Sequence, residues 1–204
     1  WWILKVDYVG TKEWERNFGG SRDDRLNTIS SVQQTIDGGY LFGGWSESGV
    51  SGNKTSANNG GADNWLIKLD ASGNKVWEQV YGGSSNEIFN SLQPAINGGF
   101  LIGGWSFSGI GGNKTTASFG SSDYWVLKVD ANGTKQWERD FGGTGDDFLF
   151  GMVPTSTSEF VLMGTSTSAT NGNRVIGNSG GTDTWTIKID SSGNQVWQQT
   201  FAGP

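Results

Sequence analysis

Cysteine and histidine are absent from this chain of 204 residues, and proline occurs only three times. Without cysteine the protein has no disulfide, no thiol nucleophile and no thiolate metal site. Without histidine it has no Ser-His-Asp triad and no histidine-ligated zinc, copper or haem. Carboxylate chemistry and a calcium site built from oxygen ligands remain open to such a composition.

Positive charge and long apolar runs are also scarce. The formal net charge is −6 at pH 7, which makes nucleic acid and anionic membrane surfaces poor electrostatic partners. No apolar run in the chain reaches the roughly 18 residues that a membrane-spanning helix requires. The sequence therefore predicts neither nucleic-acid binding nor membrane insertion.

Glycine and tryptophan, by contrast, are abundant, with 34 and 11 residues respectively. A glycine inside a helix costs about 1 kcal/mol relative to alanine, and no segment keeps the apolar spacing of a long helix. The aromatic content of 13% argues against disorder, because such side chains supply a core. The composition therefore favours an all-β protein.

One motif recurs along the whole chain: a tryptophan followed three residues later by lysine and five residues later by aspartate. Its copies are Trp2–Asp7, Trp65–Asp70, Trp125–Asp130 and Trp185–Asp190. They are separated by 63, 60 and 60 residues. A fixed period of this length indicates a repeated structural unit.

Each unit is predicted to contain four short β-strands, rich in β-branched and aromatic residues and separated by glycine and asparagine. Their representatives are Asp146–Val153, Gly99–Trp105, Trp125–Asp130 and Lys135–Phe141. Four strands in a unit of 60 residues are typical of a propeller blade. The predicted fold class is therefore all-β, a β-propeller or part of one.

The predicted organisation is a single repeat domain over residues 1–204. It divides into a half blade at 1–20 and three blades at 21–83, 84–143 and 144–204. A closed propeller needs about four blades, and this chain supplies about three and a half. We therefore expect either a segment of a longer array or half of a two-chain, seven-blade propeller. The expected partners are a second copy or adjacent repeats of the same polypeptide.

Two further sets of repeated residues are predicted to be structural. A tryptophan that occurs once per unit is expected to pack between blades. The motif Asp-x-[Ser/Asn]-Gly between the third and fourth strands predicts a hairpin turn. Its glycine supplies a positive φ, and its aspartate accepts backbone N–H bonds. The alternative, a small calcium loop, has too few oxygen ligands. The residues are Trp14, Trp77, Trp137 and Trp197, with Asp70 and Gly73, Asp130 and Gly133, and Asp190 and Gly193.

A resemblance spans the whole chain. The segments Asp123–Glu138, Phe141–Gly143, Asp146-Asp147 and Gly98–Thr115 resemble the secreted tandem-repeat, β-propeller-type proteins of Bacteroidetes, which are commonly cargo of the type IX secretion system. The third copy of the glycine-rich strand, Ser158–Thr165, departs from the pattern because it has lost its Gly-Gly pair and its tryptophan. The resemblance implies an extracellular or cell-surface protein and implies no particular activity.

Long polar loops at 46–64, 106–124 and 166–184 join the second and third strands of each unit. Loops of this length on a rigid scaffold often carry binding sites. A tryptophan leads into the first two loops, and each of these carries the sequence Asn-Lys-Thr, so stacking and hydrogen bonding could hold a sugar. The alternative is an ordered loop that packs its own side chains. The candidate ligand-binding residues are Trp45, Asn53, Lys54, Thr55, Trp105, Asn113, Lys114 and Thr115.

The first strand of each unit opens with paired polar or acidic residues: Asp23-Asp24, Asn86-Glu87 and Asp146-Asp147. Such residues could cap the strand or pair with arginine, bind calcium, or act as acid and base. Their recurrence in every unit argues against catalysis, since an active site needs one special constellation.

The lysines of the recurring motif, Lys5, Lys68, Lys128 and Lys188, alternate with apolar neighbours. They are expected on a solvated strand face or in a repeated lysine–carboxylate pair.

These patterns predict a non-enzymatic extracellular scaffold, an adhesion or interaction module without a cofactor, calcium being the alternative. The second hypothesis is a carbohydrate-binding propeller that holds a surface glycan with its Asn-Lys-Thr loops. A glycan array would separate the two.

Overall fold

A computed structural model describes residues 1–26, 28, 31–95, 98–155 and 158–202. Within these ranges the chain forms fifteen β-strands and no helix, so the all-β prediction is confirmed. The strands are β1 (Trp2–Val6), β2 (Lys12–Asn17), β3 (Asp24–Arg25), β4 (Val32–Gln34), β5 (Tyr40–Ser46), β6 (Asp63–Leu69), β7 (Lys75–Tyr81), β8 (Glu87–Pro94), β9 (Phe100–Ser106), β10 (Asp123–Val129), β11 (Lys135–Phe141), β12 (Asp147–Pro154), β13 (Phe160–Ser166), β14 (Asp183–Ile189) and β15 (Gln195–Phe201). The described part of the chain thus offers no helix that could cross a membrane.

The strands form four antiparallel sheets in which sequence neighbours pair. Sheet I contains β1 and β2, sheet II β3 to β7, sheet III β8 to β11, and sheet IV β12 to β15. Each sheet falls within one repeat unit, because its strands are consecutive in the sequence. Phe201-Ala202-Gly203 is a degenerate copy of the aromatic-Gly-Gly sequence found at Phe141–Gly143. Its last residue, Gly203, lies outside the described residues.

The first strand of sheet II is divided into two short pieces. Both β3 and β4 pair with β5, through Asp24 opposite Ser46 and Val32 opposite Phe42. This unit carries three more residues between Asp24 and Gln33 than its counterparts, and part of that insertion lies outside the described ranges. Sheets III and IV keep a single strand here, with a bulge in each. The insertion therefore explains why sheet II has five strands rather than four.

Hydrophobic cores lie between consecutive sheets. The first joins Ile3 and Phe18 to the inner residues of sheet II, including Trp65. Equivalent clusters join sheet II to sheet III and sheet III to sheet IV. A sheet between two neighbours is covered on both faces, which explains why every residue of β6 is buried. We call the contact between two consecutive sheets a sheet joint.

Three of the four motif lysines are held in ion pairs. Lys68 is buried, and its Nζ lies 2.9 Å from Asp37 Oδ2. Lys188 pairs with Glu159 at 2.7 Å, and Lys5 pairs with Glu13. Of the two expectations for these lysines, the lysine–carboxylate pair describes Lys68, and a solvated face does not.

Candidate functional site

At each sheet joint, the recurring tryptophan of one sheet rests on the hairpin turn of the next. A Cβ atom at Gly73 would lie 2.8 Å from the Trp14 ring, and one at Gly193 would lie 2.8 Å from Trp137. Trp77 lies against Gly133 in the same way, at 3.1 Å. These glycines therefore serve two purposes, because they also have a positive φ of 78–81°.

The turn itself is closed by its aspartate, as the sequence suggested for such a motif. Asp70 Oδ1 accepts hydrogen bonds from the N–H groups of Ser72 at 2.9 Å and Asn74 at 2.8 Å. The carboxylates of Asp130 and Asp190 bind their turns with the same pattern. The carboxylate thus holds the loop in the shape that receives the tryptophan.

The Asn-Lys-Thr loops act as clamps on the preceding sheet. Asn53 Oδ1 accepts from Gly19 N–H at 3.0 Å, while its Nδ2 donates to Asn17 O at 2.6 Å. Asn113 makes the same two bonds to Gly82 and Val80. One amide side chain therefore satisfies a donor and an acceptor at the end of the neighbouring sheet.

The cation that follows this asparagine is buried beneath the loop. Lys54 Nζ lies 5.6 Å from the centre of the Trp65 ring and donates to Ser56 O at 2.6 Å. Lys114 lies 5.7 Å from Trp125 and forms a buried ion pair with Asp140 at 2.8 Å. In the third unit Arg174 occupies the same position over Trp185, at 5.4 Å.

The threonines of these loops are also bound within the protein. Thr55 donates both its N–H, at 2.6 Å, and its hydroxyl, at 3.0 Å, to Glu78 Oε1. Thr115 makes both bonds to Glu138. The polar atoms on which a sugar would depend are thus already engaged. The loops are thus bonded both to their own unit and to the preceding sheet.

The two tryptophans that lead into the loops differ in their surroundings. Trp45 is half-buried beneath the Arg25 guanidinium, 5.2 Å from its ring centre. Trp105 meets Phe148 edge-on at 5.1 Å, and Phe150 lies 6.0 Å away. Trp105 therefore belongs to a partly exposed aromatic cluster that its repeat counterpart lacks.

Pairs of buried carboxyl groups cross the sheet joints, a feature that the sequence analysis missed. Asp63 of sheet II faces Glu87 of sheet III, and Asp123 faces Asp147 across the next joint. A Cβ atom at Gly82 would clash with both members of the first pair. The signal was present in the sequence, since Asp63, Asp123 and Asp183 each stand two residues before the motif tryptophan.

Within each pair, the second carboxyl group accepts hydrogen bonds from nearby donors. Glu87 accepts from Gly83 N–H at 2.7 Å and from the Ser106 hydroxyl at 2.6 Å. Asp147 accepts from Gly143 N–H and the Ser168 hydroxyl. These bonds match the capping interpretation of the acidic strand starts. No group of three or more acidic ligands that could hold a metal ion occurs within the described ranges.

The first carboxyl group of each pair keeps its proton up to neutral pH. Burial raises the pKa of Asp63 to about 7, and the nearby Glu87 carboxylate adds to the rise. Burial also raises the pKa of Asp123 to about 7, with Asp140 and Asp147 contributing negative charge. A hydrogen bond between the Asp63 acid and Glu87 accounts for Asp63 Oδ1, which has no other partner among the described residues, whereas Asp147 acts on Asp123 through its charge. The joint between sheets II and III and the joint between sheets III and IV thus each contain a titratable acid beside a second carboxyl group.

A cleft of about 830 Å³ opens between sheets II and III, beside their hairpin turns. It combines apolar and aromatic walls with an ion pair and an amide. The residues that define it are Ile36, Asp37, Lys68, Trp77, Phe100 and Asn132. A cleft of this composition offers both a ring face and hydrogen-bonding groups to a polar ligand.

Comparisons with known proteins identify no family for this chain. No protein-family model matches the chain, and no curated protein matches it. Among solved structures, the chain is similar to a protein of unknown function from Bacteroides caccae. The identity is 10% and the TM-score 0.42, with 97% of this chain and 74% of that chain covered. A likeness at this level carries no argument about fold or function.

The tryptophan contact predicts unequal effects of equivalent substitutions. Trp137→Ala should lower the free energy of unfolding by about 2 kcal/mol, less than the 3–5 kcal/mol of a fully buried aromatic. Trp197→Ala should cost under about 1 kcal/mol, because Trp197 is 39% exposed and rests on no hairpin turn among the described residues. Urea denaturation at low protein concentration measures both. Equal costs would contradict the assigned contact.

The carboxyl pairs predict that stability falls as the pH rises from 5.5 to 8. In this range the unfolded aspartates are already ionised, whereas the folded Asp63 and Asp123 must still lose protons, so the folded state binds more protons and loses stability. Because one unit of pKa is worth about 1.4 kcal/mol, we expect each of the two acids to contribute a loss of about 2 kcal/mol in urea denaturation.

Asp63→Asn should reduce this decline by about half, because the amide donates to Glu87 without ionising while Asp123 still titrates. Asp70→Asn is the matched control. The turn N–H groups lower the pKa of Asp70, so its contribution is complete above its unfolded pKa and lost only in acid. The control should therefore cost the same at pH 5.5 and pH 8. An unchanged slope in the Asp63→Asn variant would show that the pair does not share a proton.

Proposed function

We propose that this chain is a non-enzymatic extracellular repeat scaffold, an adhesion or interaction module whose sheets follow one another as the blades of a propeller or of part of one. In this arrangement the sheets provide rigidity, and the surface loops and end faces provide contact. The repeated polar residues of the Asn-Lys-Thr loops then serve to hold the sheets together.

The observation that carries the proposal is the engagement of those residues within the protein. Asn53 binds the preceding sheet, Lys54 lies over a buried indole, and Thr55 binds Glu78. Asn113, Lys114 and Thr115 make the equivalent contacts in the next unit. Repetition of these contacts from unit to unit favours a uniform, stiff array. A uniform array is suited to holding surfaces at fixed positions.

The carboxyl groups support a non-enzymatic role in the same way. The raised pKa values of Asp63 and Asp123 recur at equivalent places in successive joints. Perturbed acids often mark active sites, but structural pairs perturb pKa values as well. Two equivalent buried pairs are better explained by joint packing than by one reaction.

The extracellular or cell-surface location rests on the resemblance to secreted Bacteroidetes repeat proteins. It is tested in the producing organism by labelling intact and lysed cells with an antibody against this chain. We expect label on intact cells or protein in the medium. Protein found only after lysis would contradict the location, and with it the adhesion role.

Carbohydrate binding is the second candidate function, and the cleft between sheets II and III is the observation that favours it. Its Trp77 ring could stack on a sugar face, while the Lys68–Asp37 pair and Asn132 could bind hydroxyl groups. This site differs from the Asn-Lys-Thr loops, whose polar atoms are bound internally.

A glycan array followed by titration with each retained glycan separates the two functions. If the cleft binds sugar, Asn132→Ala should weaken binding at least about tenfold, the effect of losing about 1.4 kcal/mol. Ser192→Ala, at the equivalent place in the next turn, is the matched control and should bind like the parent chain. An array without any retained glycan would reject the carbohydrate hypothesis and leave the scaffold.

A further inference from the structure

The cation beneath the long loop meets a different residue in each unit. In every unit it lies over the motif tryptophan, and the residue opposite that tryptophan on the next strand differs. This residue is Val80 in sheet II, Asp140 in sheet III and Thr200 in sheet IV. Asp140 alone among the three is an acid, so the repeat pattern does not account for it.

The acid is not needed to hold the loop in place. Lys54 is buried in the same way without an acid at this position, and it donates to Ser56 O and Asn58 Oδ1. Arg174 donates to the hydroxyl of Thr200 instead. A buried ion pair also adds little stability, because the cost of removing both charges from water offsets their attraction. The acid in sheet III therefore has no evident structural purpose.

The lysine and the acid of sheet III are placed as two reactants would be. Lys114 Nζ lies 2.8 Å from Asp140 Oδ1, and the two side chains are 0% and 2% exposed. Lys114 Nζ also donates to Thr116, to its carbonyl oxygen at 2.9 Å and its hydroxyl at 3.2 Å. These bonds direct the remaining N–H at the carboxyl group, and they direct the nitrogen lone pair there once that proton has moved. Fixed proximity of this kind replaces a very high concentration of reactants.

Burial favours the uncharged forms that react with each other. In water an amine and a carboxylic acid are both ionised, and ionisation opposes their condensation. Removal from water penalises both charges, and burial raises the pKa of Asp140 although the positive charge of Lys114 opposes the rise. The Trp125 ring, 5.7 Å from Lys114 Nζ, adds the apolar surroundings in which a lysine amine becomes a nucleophile.

We propose that Lys114 and Asp140 condense into an intramolecular amide bond, which ties the long loop of sheet III to strand β11. The ammonium group first passes one proton to Asp140 Oδ1. The neutral nitrogen then attacks Asp140 Cγ, a C–N bond forms, and the C–O bond to the protonated oxygen breaks. The nitrogen gives one of its two remaining protons to the departing hydroxyl group, which leaves as water. The reaction consumes no oxidant, reductant or further reagent.

The bond reinforces a sheet joint. It joins residues 26 positions apart, and such a cross-link stabilises a fold by restricting the unfolded chain. It also lies next to Asn113, whose side chain clamps the loop onto Gly82 and Val80 of the preceding sheet. The inference goes beyond the proposed scaffold role and does not depend on it.

Mass spectrometry of the denatured chain, after prolonged incubation in the folded state, tests the bond. We expect the parent chain to be lighter than its sequence by one water molecule. Lys114→Met and Asp140→Ala should each keep the full mass of their sequence. Lys54→Met, which removes the equivalent cation of the preceding unit, is the matched control and should lose water as the parent chain does. Circular dichroism verifies that each variant is folded.

Digestion with trypsin locates the bond without any variant. A linked Lys114 is not a cleavage site, so the digest should contain a branched product that joins residues 76–128 to residues 140–174. A parent chain of full mass would overturn the proposal, and so would a loss of water confined to an unbranched peptide. The location assay is independent of these results, so the amide bond and the scaffold role fail separately.

Discussion

The structure depends on one constraint: a sheet with two apolar faces must be covered on both sides. Sheets II and III meet this requirement because each lies between two neighbours, and their central strands β6 and β10 are buried along almost their whole length. The apolar area removed from water at each joint is the main stabilising term. Everything else in the repeat positions one sheet on the next.

The contact between tryptophan and turn glycine determines that position. A flat indole needs a flat surface, and a glycine at positive φ provides it, since any side chain at Gly73 would take the place of the Trp14 ring. The neighbouring asparagine clamp then joins the backbone ends of the two sheets. Together these contacts fix the spacing and rotation of successive sheets through backbone groups, which tolerate little displacement.

Buried polar groups in the joints add specificity at a cost in stability. Lys114 with Asp140, and Asp63 with Glu87, are removed from water and must be satisfied by each other and by N–H donors. A shared proton resolves the repulsion between two carboxyl groups and makes the joint sensitive to pH. The internal engagement of these groups is also why the recurring polar residues support a scaffold better than a catalyst.

The sequence alone determined the class of structure. The period between Trp65, Trp125 and Trp185, the Asp-x-x-Gly turns and the alternation of apolar residues predicted four-stranded antiparallel units, because these are local signals that depend on neighbours a few residues away. The unit containing β3 and β4 was less regular than predicted, since an insertion within one strand alters pairing without altering the period. Tertiary structure decided what no local pattern contains: that Lys54 and Asn53 turn inward, that Asp63 meets Glu87 across a joint, and that Lys68 is buried. Side-chain direction in a long loop, and the meeting of residues more than 20 positions apart, depend on how the sheets pack against one another.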